Sequence, residues 1–225
     1  MPANYEVITF DCYGTLIDWQ RGIGDALVGA ARRAGVDIER ERALGIYHEI
    51  EPAVQAAAFR PYREVLAETA RRVADALGWV MEDEEARRFA AELPDWPPFA
   101  DTDEALARLA GAGYTLGILS NVDDDLLAGT LQHFSTPIDM LVTAQQVRSY
   151  KPARGHFLEA RQRIGARRWL HAAQSLFHDV RPCNELGIPV VWVNRLDERR
   201  PEDGPAPLAE VPTLAALADL LLDEG

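Results

Sequence analysis

The sequence predicts an α/β protein: a Rossmann-like parallel sheet core with helices on both faces, plus an inserted α-helical cap domain. Along most of the chain, short apolar runs that suit buried strands alternate with segments of helical periodicity. The alternation stops after Asp18 and resumes near Pro97. We therefore assign 1–17 and 97–225 to the Rossmann-like core and 18–96 to the inserted helical cap.

The elements follow from this alternation. Glu6–Phe10 is a short apolar run, which predicts a strand buried on both faces. The cap is predicted as four helices without a strand between them, at Ile23–Ala34, Glu39–Ala58, Tyr62–Leu77 and Glu82–Leu93. Further strands are predicted at Thr115–Leu119, Ile138–Thr143, Ser175–Phe177 and Pro189–Val193. Core helices are predicted at Thr102–Ala112, Asp124–His133, Gly155–Ile164, Cys183–Leu186 and Thr213–Leu222.

Composition restricts the classes of partner. The 225 residues include 36 acidic and 23 basic side chains, so the formal charge is −13. This balance argues against nucleic acid and anionic membranes as partners, although a local group of cations can still bind a small anion. Two cysteines give no disulfide framework, and the amino terminus lacks a signal-peptide pattern. We expect a cytoplasmic protein.

Polar residues follow three of the predicted strands. Asp11 comes directly after the first strand, Ser120 and Asn121 follow the second, and His178 and Asp179 follow a later one. The carboxyl ends of parallel strands meet at one edge of a sheet, where such folds bind their ligands. This arrangement predicts a single site, with Lys151 in a nearby loop.

Asp11 is the candidate nucleophile. A carboxylate held at a strand end can attack carbon or phosphorus, and Gly14 and Thr15 after it suit a tight turn with a hydroxyl beside the carboxylate. The same pattern also fits an Asp that only caps a turn.

Four segments resemble the motifs of the haloacid dehalogenase superfamily, in that family's order. They are FDCYGTLID at Phe10–Asp18, LSN at Leu119–Asn121, YKP at Tyr150–Pro152, and FHD followed by NELG at Asn184–Gly187. The helical insertion after the first segment resembles the cap domain of that family.

The resemblance implies roles for the strand-end residues. Asp11 would attack the substrate, and Lys151 would keep it ionised and oriented. Ser120 and Asn121 would bind the substrate carboxylate, although both residue types also cap helices commonly. Backbone N–H groups near Cys12 and Tyr13 would assist that binding. Thr15 would hydrogen-bond Asp11 or hold the turn, two roles that the sequence does not separate.

Tyr13 bears on the reaction. Phosphatases of the superfamily usually carry a second Asp two residues after the nucleophile, to protonate the leaving alkoxide. The tyrosine found here instead resembles the (S)-2-haloacid dehalogenase branch. Physical chemistry agrees, because a halide leaves without a proton and a phenol with a pKa of about 10 is a poor acid at neutral pH. We therefore favour a dehalogenase that needs no cofactor, with a small anionic organic acid as substrate.

The fourth segment partly favours a different interpretation, in which the protein is a Mg²⁺-dependent phosphatase of the same superfamily. The position shortly before its glycine, an Asp in the related dehalogenases, is Asn184 here, so Asp179 is our candidate for positioning the hydrolytic water. Mg²⁺-dependent phosphatases use an acid at that strand end as a metal ligand, and Asp11 with Asp179 would then bind Mg²⁺. A third alternative is a non-catalytic binding module.

The halide-binding cation is not assigned uniquely. Related dehalogenases use an Arg of the cap, and Arg42 and Arg60 are our candidates, with Arg63 beside the latter. Each also fits an exposed surface cation. The resemblance further allows a homodimer.

Overall fold

The computed structural model describes residues 5–56 and 58–222. Within this part of the chain one sheet is formed by β1 (Val7–Phe10), β2 (Thr115–Ser120), β3 (Met140–Thr143), β4 (Trp169–Ala173), β5 (Val190–Val193) and β6 (Ala209–Val211). Every pairing is parallel, and the strand order is β3-β2-β1-β4-β5-β6. The predicted Rossmann-like α/β class is confirmed.

Strand β1 lies between β2 and β4, where the strand order reverses direction along the chain. All residues of β1, β4 and β5 are buried, because helices cover the sheet on both faces. The carboxyl end of β1 is therefore the position at which this type of sheet opens a crevice for a ligand.

The chain forms ten α-helices within the described residues, besides two 3₁₀ turns and one π-helical turn. They are α1 (Trp19–Arg33), α2 (Arg40–Gln55), α3 (Tyr62–Ala76), α4 (Asp83–Ala91), α5 (Thr102–Gly111), α6 (Asp124–Thr130), α7 (Ala144–Val147), α8 (Gly155–Ile164), α9 (Arg181–Leu186) and α10 (Leu214–Leu222). Each α/β crossover buries one apolar stripe of its helix against the sheet.

The core of the sheet-containing unit has one large apolar cluster on the face covered by α8 and α9. Val7 of β1, Leu119 of β2 and Trp192 of β5 contribute to it, and Phe157 of α8 and Cys183 of α9 pack against them. Helices α5 and α10 contact each other and pack on β2 and β5 respectively. Burial of these side chains is the main stabilising contribution to this unit.

The chain divides into two compact units. The sheet-containing unit comprises 5–18, 98–121 and 133–222 of the described residues, and the helical unit comprises 19–97 and 122–132. Segment 122–132, which the sequence analysis assigned to the core, therefore groups with the helices. Its Asp123 accepts hydrogen bonds from the backbone N–H groups of Tyr62 (2.8 Å) and Arg63 (3.1 Å), so it caps α3 and not the helix it precedes.

Most predicted elements agree with the structure to within a few residues, and helix Gly155–Ile164 agrees at both ends. The strand predicted at Ser175–Phe177 is wrong: the strand is Trp169–Ala173, and Leu176–Val180 forms a single π-helical turn. The short strand β6 and the one-turn helix α7 were not predicted. No helix in the described part of the chain is both long and apolar enough to cross a membrane.

Candidate active site

Asp11 begins the loop that leaves β1. Its backbone N–H still donates to Ala172 O of β4 at 3.1 Å, so the last sheet hydrogen bond fixes the residue. The carbonyl of Cys12 then accepts from the N–H groups of Leu16 (2.7 Å) and Ile17 (3.0 Å), which closes a tight loop. Gly14 has φ of 102°, a conformation that favours glycine. This loop holds the carboxylate of Asp11, whose side chain is 12% exposed.

Thr15 has both of the roles that the sequence left open. Its hydroxyl donates to Asp11 Oδ2 at 2.9 Å and accepts from the N–H of Gln174 at 3.0 Å. Its carbonyl accepts from Nε of Arg195 at 2.8 Å. Thr15 therefore both orients the carboxylate and connects the loop after β1 to the segments that follow β4 and β5.

Lys151 is the cation of the site. Its Nζ atom donates to Asp11 Oδ1 (2.8 Å), to Asp179 Oδ1 (2.7 Å) and to the carbonyl of Leu119 (2.8 Å). An ammonium has three N–H donors, and these three acceptors use all of them. The side chain is 1% exposed, so its position is fixed by these bonds and not by solvent.

Ser120 and Asn121 end β2 but differ in their surroundings. The amide oxygen of Asn121 accepts from the N–H of Lys151 at 2.6 Å, and its nitrogen donates to the Lys151 carbonyl at 3.1 Å. Asn121 therefore holds the Lys151 loop, a role the sequence analysis missed. The Ser120 hydroxyl is buried and has no hydrogen-bond partner among the described residues. Of the two, the Ser120 hydroxyl is the side-chain group left to bind a ligand.

Asp179 lies on the π-helical turn, six residues after the end of β4, and not at a strand end as predicted. The turn brings the carboxylate back to Lys151. Its Oδ1 atom also lies 3.1 Å from Nε2 of His171. Its Oδ2 atom is buried without a hydrogen-bond partner in the described structure. One oxygen is fixed, and the other remains available to a water or a substrate.

Charge pairing and burial set the ionisation of the site. Burial raises the pKa of Asp11, the Lys151 charge opposes that rise, and the neighbouring Asp179 charge adds to it, so the pKa lies above its usual range. For Asp179, burial is outweighed by the Lys151 charge and the His171 hydrogen bond, which hold its pKa well below the usual range. Burial lowers the pKa of Lys151, but the charges and hydrogen bonds of the two carboxylates outweigh burial and raise that pKa, so Lys151 stays protonated.

The remaining predicted residues lie as follows. Cys12 is buried in the loop after Asp11, and Tyr13 is half-buried there, forming a bridge with Ile17. Arg42 is exposed on α2 of the helical unit. Arg60 of the same unit is half-buried, with Nη2 3.4 Å from the carbonyl of Val54. The predicted role of both arginines in halide binding stays a prediction.

The structure also gives roles to residues that the sequence analysis did not assign. Asn184, which was set aside in favour of Asp179 as the water-positioning residue, forms a pair of hydrogen bonds with the backbone of Ala206 and so holds a loop. His171 and His156 were not singled out, yet both are fully buried beside the site. Nε2 of His156 lies 3.0 Å from the carbonyl of Ser120. The signal that would have found His171 is an ionisable residue in the middle of an apolar run, Trp169–Ala173.

The geometry also bears on the magnesium site of the phosphatase alternative. The Lys151 ammonium occupies the position next to Oδ1 of both Asp11 and Asp179, and of the four carboxylate oxygens of these two residues only Asp179 Oδ2 is buried without a hydrogen-bond partner. Among residues 5–56 and 58–222 no group of three or more His, Cys, Asp or Glu could hold a metal ion. The two carboxylates therefore supply a small part of the oxygen shell that Mg²⁺ requires.

Comparison with known proteins agrees with the fold and the motifs. The (S)-2-haloacid dehalogenase of Pseudomonas putida is 27% identical over 234 residues, an alignment that covers 98% of each chain. The L-2-haloacid dehalogenase of Xanthobacter autotrophicus, solved with chloropropionic acid covalently bound, has a TM-score of 0.83 at 20% identity and covers 96% of this chain and 98% of its own. A putative hydrolase of Bacillus subtilis, YfnB, solved with magnesium, has a TM-score of 0.82 at 16% identity, covering 97% and 99%.

The family model for haloacid dehalogenase-like hydrolases matches residues 5–168, which include Asp11, Ser120 and Lys151. This match spans well over half of the 225 residues. The chain belongs to the haloacid dehalogenase-like hydrolases.

Proposed function

We propose that this protein is a 2-haloacid dehalogenase that hydrolyses a short 2-haloalkanoic acid to the 2-hydroxy acid. The observation that carries the proposal is the buried Asp11 carboxylate, paired with Lys151 and Thr15 and followed at the second position by Tyr13. The site thus has a nucleophile but no second acid in the loop to protonate a leaving alkoxide. A halide leaves as a stable anion and needs no such acid. The relatives named as haloacid dehalogenases support the same reaction.

The reaction proceeds in two steps. A carboxylate oxygen of Asp11 attacks the α-carbon, a C–O bond forms as the C–halogen bond breaks, and the halide takes the bonding electron pair. Water then attacks Cγ of the resulting ester, the 2-hydroxy acid leaves, and one proton is released overall. Asp179 Oδ2 accepts the hydrogen bond of that water. Because the low pKa of Asp179 makes it a weak base, it orients the water more than it removes a proton in advance.

Ser120 is the proposed contact to the substrate carboxylate, because its hydroxyl is buried and has no partner among the described residues. Backbone N–H groups near Cys12 and Tyr13 complete that contact. Asn121 acts by placing the Lys151 loop, since both polar atoms of its amide bind the Lys151 backbone. Arg42 and Arg60 are the candidates for the halide contact.

Two alternative functions would give different results in the experiment described below. A Mg²⁺-dependent phosphatase would use Asp11 and Asp179 as metal ligands and Asp11 as the phosphorylated residue. A binding module would require no ionised nucleophile. The burial of Lys151 against both carboxylates favours an ionised Asp11 without a metal, which is the arrangement the dehalogenase requires. The proposed dehalogenase needs no cofactor and acts in the cytoplasm. Its assembly as a homodimer stays a prediction.

The deciding experiment measures halide release from L-2-chloropropionate and chloroacetate in excess EDTA. The purified protein should release halide, D11N should release none, and D219N, which changes an exposed carboxylate on α10, should match the wild type. A single turnover in H₂¹⁸O should leave the label in Asp11 and not in the product, because water attacks the carboxyl carbon. Phosphate-ester cleavage only after Mg²⁺ is added would contradict the proposal. Ligand binding by D11N without any turnover would favour the binding module.

A further inference from the structure

A hydrogen-bond chain crosses the sheet behind the site and ends at Asp179. Thr9 of β1 and His171 of β4 are register partners, so their side chains lie on the same face. Nε1 of Trp169 donates to Thr9 Oγ1 at 2.7 Å, and Thr9 Oγ1 lies 2.8 Å from His171 Nδ1. His171 Nε2 lies 3.1 Å from Asp179 Oδ1. The two polar members that connect β1 to the site, Thr9 and His171, are fully buried.

The chemistry of these groups fixes the direction of donation along this series of hydrogen bonds. Asp179 is ionised against Lys151 and can only accept, so His171 must carry its proton on Nε2. In a neutral imidazole Nδ1 is then an acceptor, and the Thr9 hydroxyl must donate to it. That hydroxyl oxygen in turn accepts from Trp169. Each donor of the chain finds one acceptor, whereas the opposite tautomer would place a lone pair against the carboxylate.

The His171 ring is also fixed by packing. Phe157 of α8 contacts it edge-on, with ring centroids 5.6 Å apart and an interplanar angle of 89°. Gly117 of β2 leaves room for Thr9, because a Cβ atom there would lie 3.1 Å from the Thr9 Cγ2 atom. The ring therefore has a single orientation from which Nε2 reaches Asp179.

We propose that His171 is a positioning residue for the hydrolysis of the Asp11 ester, acting through Asp179. Lys151 and His171 both bind Oδ1, so the carboxylate cannot rotate and Oδ2 stays directed away from them toward the hydrolytic water. His171 contacts neither substrate nor Asp11 in this proposal. The inference rests on the proposed dehalogenase function and adds a residue that controls its second step.

The variants H171N and H171Q separate positioning from packing. The amide nitrogen of Gln extends as far as Nε2 and can donate to Asp179, whereas that of Asn extends only as far as Nδ1. In H171N, ester hydrolysis should slow by about 10- to 100-fold, the range found for partners that orient a metal-bound ligand. H171Q should retain most of the wild-type rate. T9V should also slow ester hydrolysis, whereas T9S, which keeps the hydroxyl, should leave its rate unchanged.

The readouts are chosen to distinguish a positioning role from general damage. In H171N, kcat and KM should fall together with kcat/KM unchanged, because kcat/KM reports only the steps up to ester formation. Mass spectrometry of acid-quenched protein should show the Asp11 ester accumulating. Equal slowing of ester hydrolysis in H171N and H171Q, or no slowing in either, would overturn the inference. Thermal unfolding of each variant checks the fold, and T9V provides the test if H171N does not fold.

A further measurement does not depend on turnover. ¹⁵N-edited NMR of histidine-labelled protein should show the Nε2–H tautomer for His171, assigned by the signal missing from H171Q. An Nδ1–H tautomer would overturn the inference even in an active enzyme. A wild-type protein that releases no halide would contradict the proposed function and this role with it. An active wild type with an unchanged ester step in H171N would contradict only the role of His171.

Discussion

The Nζ atom of Lys151 lies 2.8 Å from Oδ1 of Asp11, and it also lies 2.7 Å from Oδ1 of Asp179. One buried ammonium thus bridges two carboxylates and offsets part of the repulsion between them. Asp11 still has a raised pKa, since burial and the Asp179 charge together outweigh the ion pair. The ionisation of the proposed nucleophile therefore depends directly on the charge of Lys151.

Replacing Lys151 by Met should move the acid limb of kcat/KM to higher pH. Asp11 must be ionised to attack, and removal of a cation in contact raises its pKa further, by about 1–3 units for a pair at this distance. The rate at neutral pH should fall at least 10-fold. The pH profile of halide release measures both effects. K151R, which keeps the charge, should leave the acid limb near its wild-type position, and an unshifted limb in K151M would contradict this account.

Ser120 and Asn121 should respond differently to replacement by Ala. The Ser120 hydroxyl has no partner in the described structure, so S120A should change the free energy of unfolding little but raise KM for the haloacid. Asn121 makes two hydrogen bonds to the backbone of Lys151, so N121A should destabilise the protein by about 1–3 kcal/mol and lower kcat. Urea unfolding gives the free energy of unfolding of S120A and N121A, and steady-state kinetics gives their kcat and KM. Equal changes in stability in the two variants would contradict the assignment.

The contrast between these two residues illustrates what the sequence can predict. The end of β2 and the loop with Lys151 could both be located, because the strand periodicity and the YKP segment are local features. The hydrogen bonds that occupy the Asn121 amide join positions 30 residues apart. No local pattern encodes that pairing, so the sequence assigned to Asn121 the substrate contact that the resemblance implied.

Strand β4 shows why the fourth segment was harder to interpret. Its residues Trp169–Ala173 form an apolar run interrupted by His171, and the following turn holds Leu176 and Phe177, which also suit a strand. Burial of His171 is possible because Thr9 and Asp179 bind its two nitrogens. Asp179 was correctly placed beside Lys151, although its element was wrong. The partners that make a polar residue acceptable inside a strand are visible only in three dimensions.

The helical unit offers a test of packing that is independent of the reaction. A Cβ atom at Gly22 of α1 would lie 2.6 Å from Trp96 Cβ, closer than real side chains approach. G22A should therefore destabilise the protein by roughly 1–3 kcal/mol. Gly45 is exposed on α2, and no atom lies within 4 Å of the place that an added Cβ would take, so G45A should stabilise by roughly 0.5–1 kcal/mol. Thermal unfolding compares the two, and a stabilised G22A would contradict the packing described here.

His156 should make the folded state sensitive to acid. Burial, with the nearby Lys151 charge, lowers its pKa to about 3, whereas an unfolded His titrates near 6.5. Between these values the unfolded chain binds more protons, so stability is fully present at pH 7 and decreases as the pH falls. At pH 5 the free energy of unfolding should be about 2 kcal/mol lower than at pH 7 because of this one group. In H156Q the difference in unfolding free energy between pH 7 and pH 5 should shrink by that amount.

Replacement of the exposed His133 provides the matched control for this last measurement. H133Q should keep the wild-type difference between pH 7 and pH 5, because the buried His156 is still present in this variant. The two variants change the same residue type, so any general effect of removing a histidine cancels between them. An H156Q protein that loses as much stability as the wild type over this range would show that His156 takes up its proton without leaving its site beside Ser120.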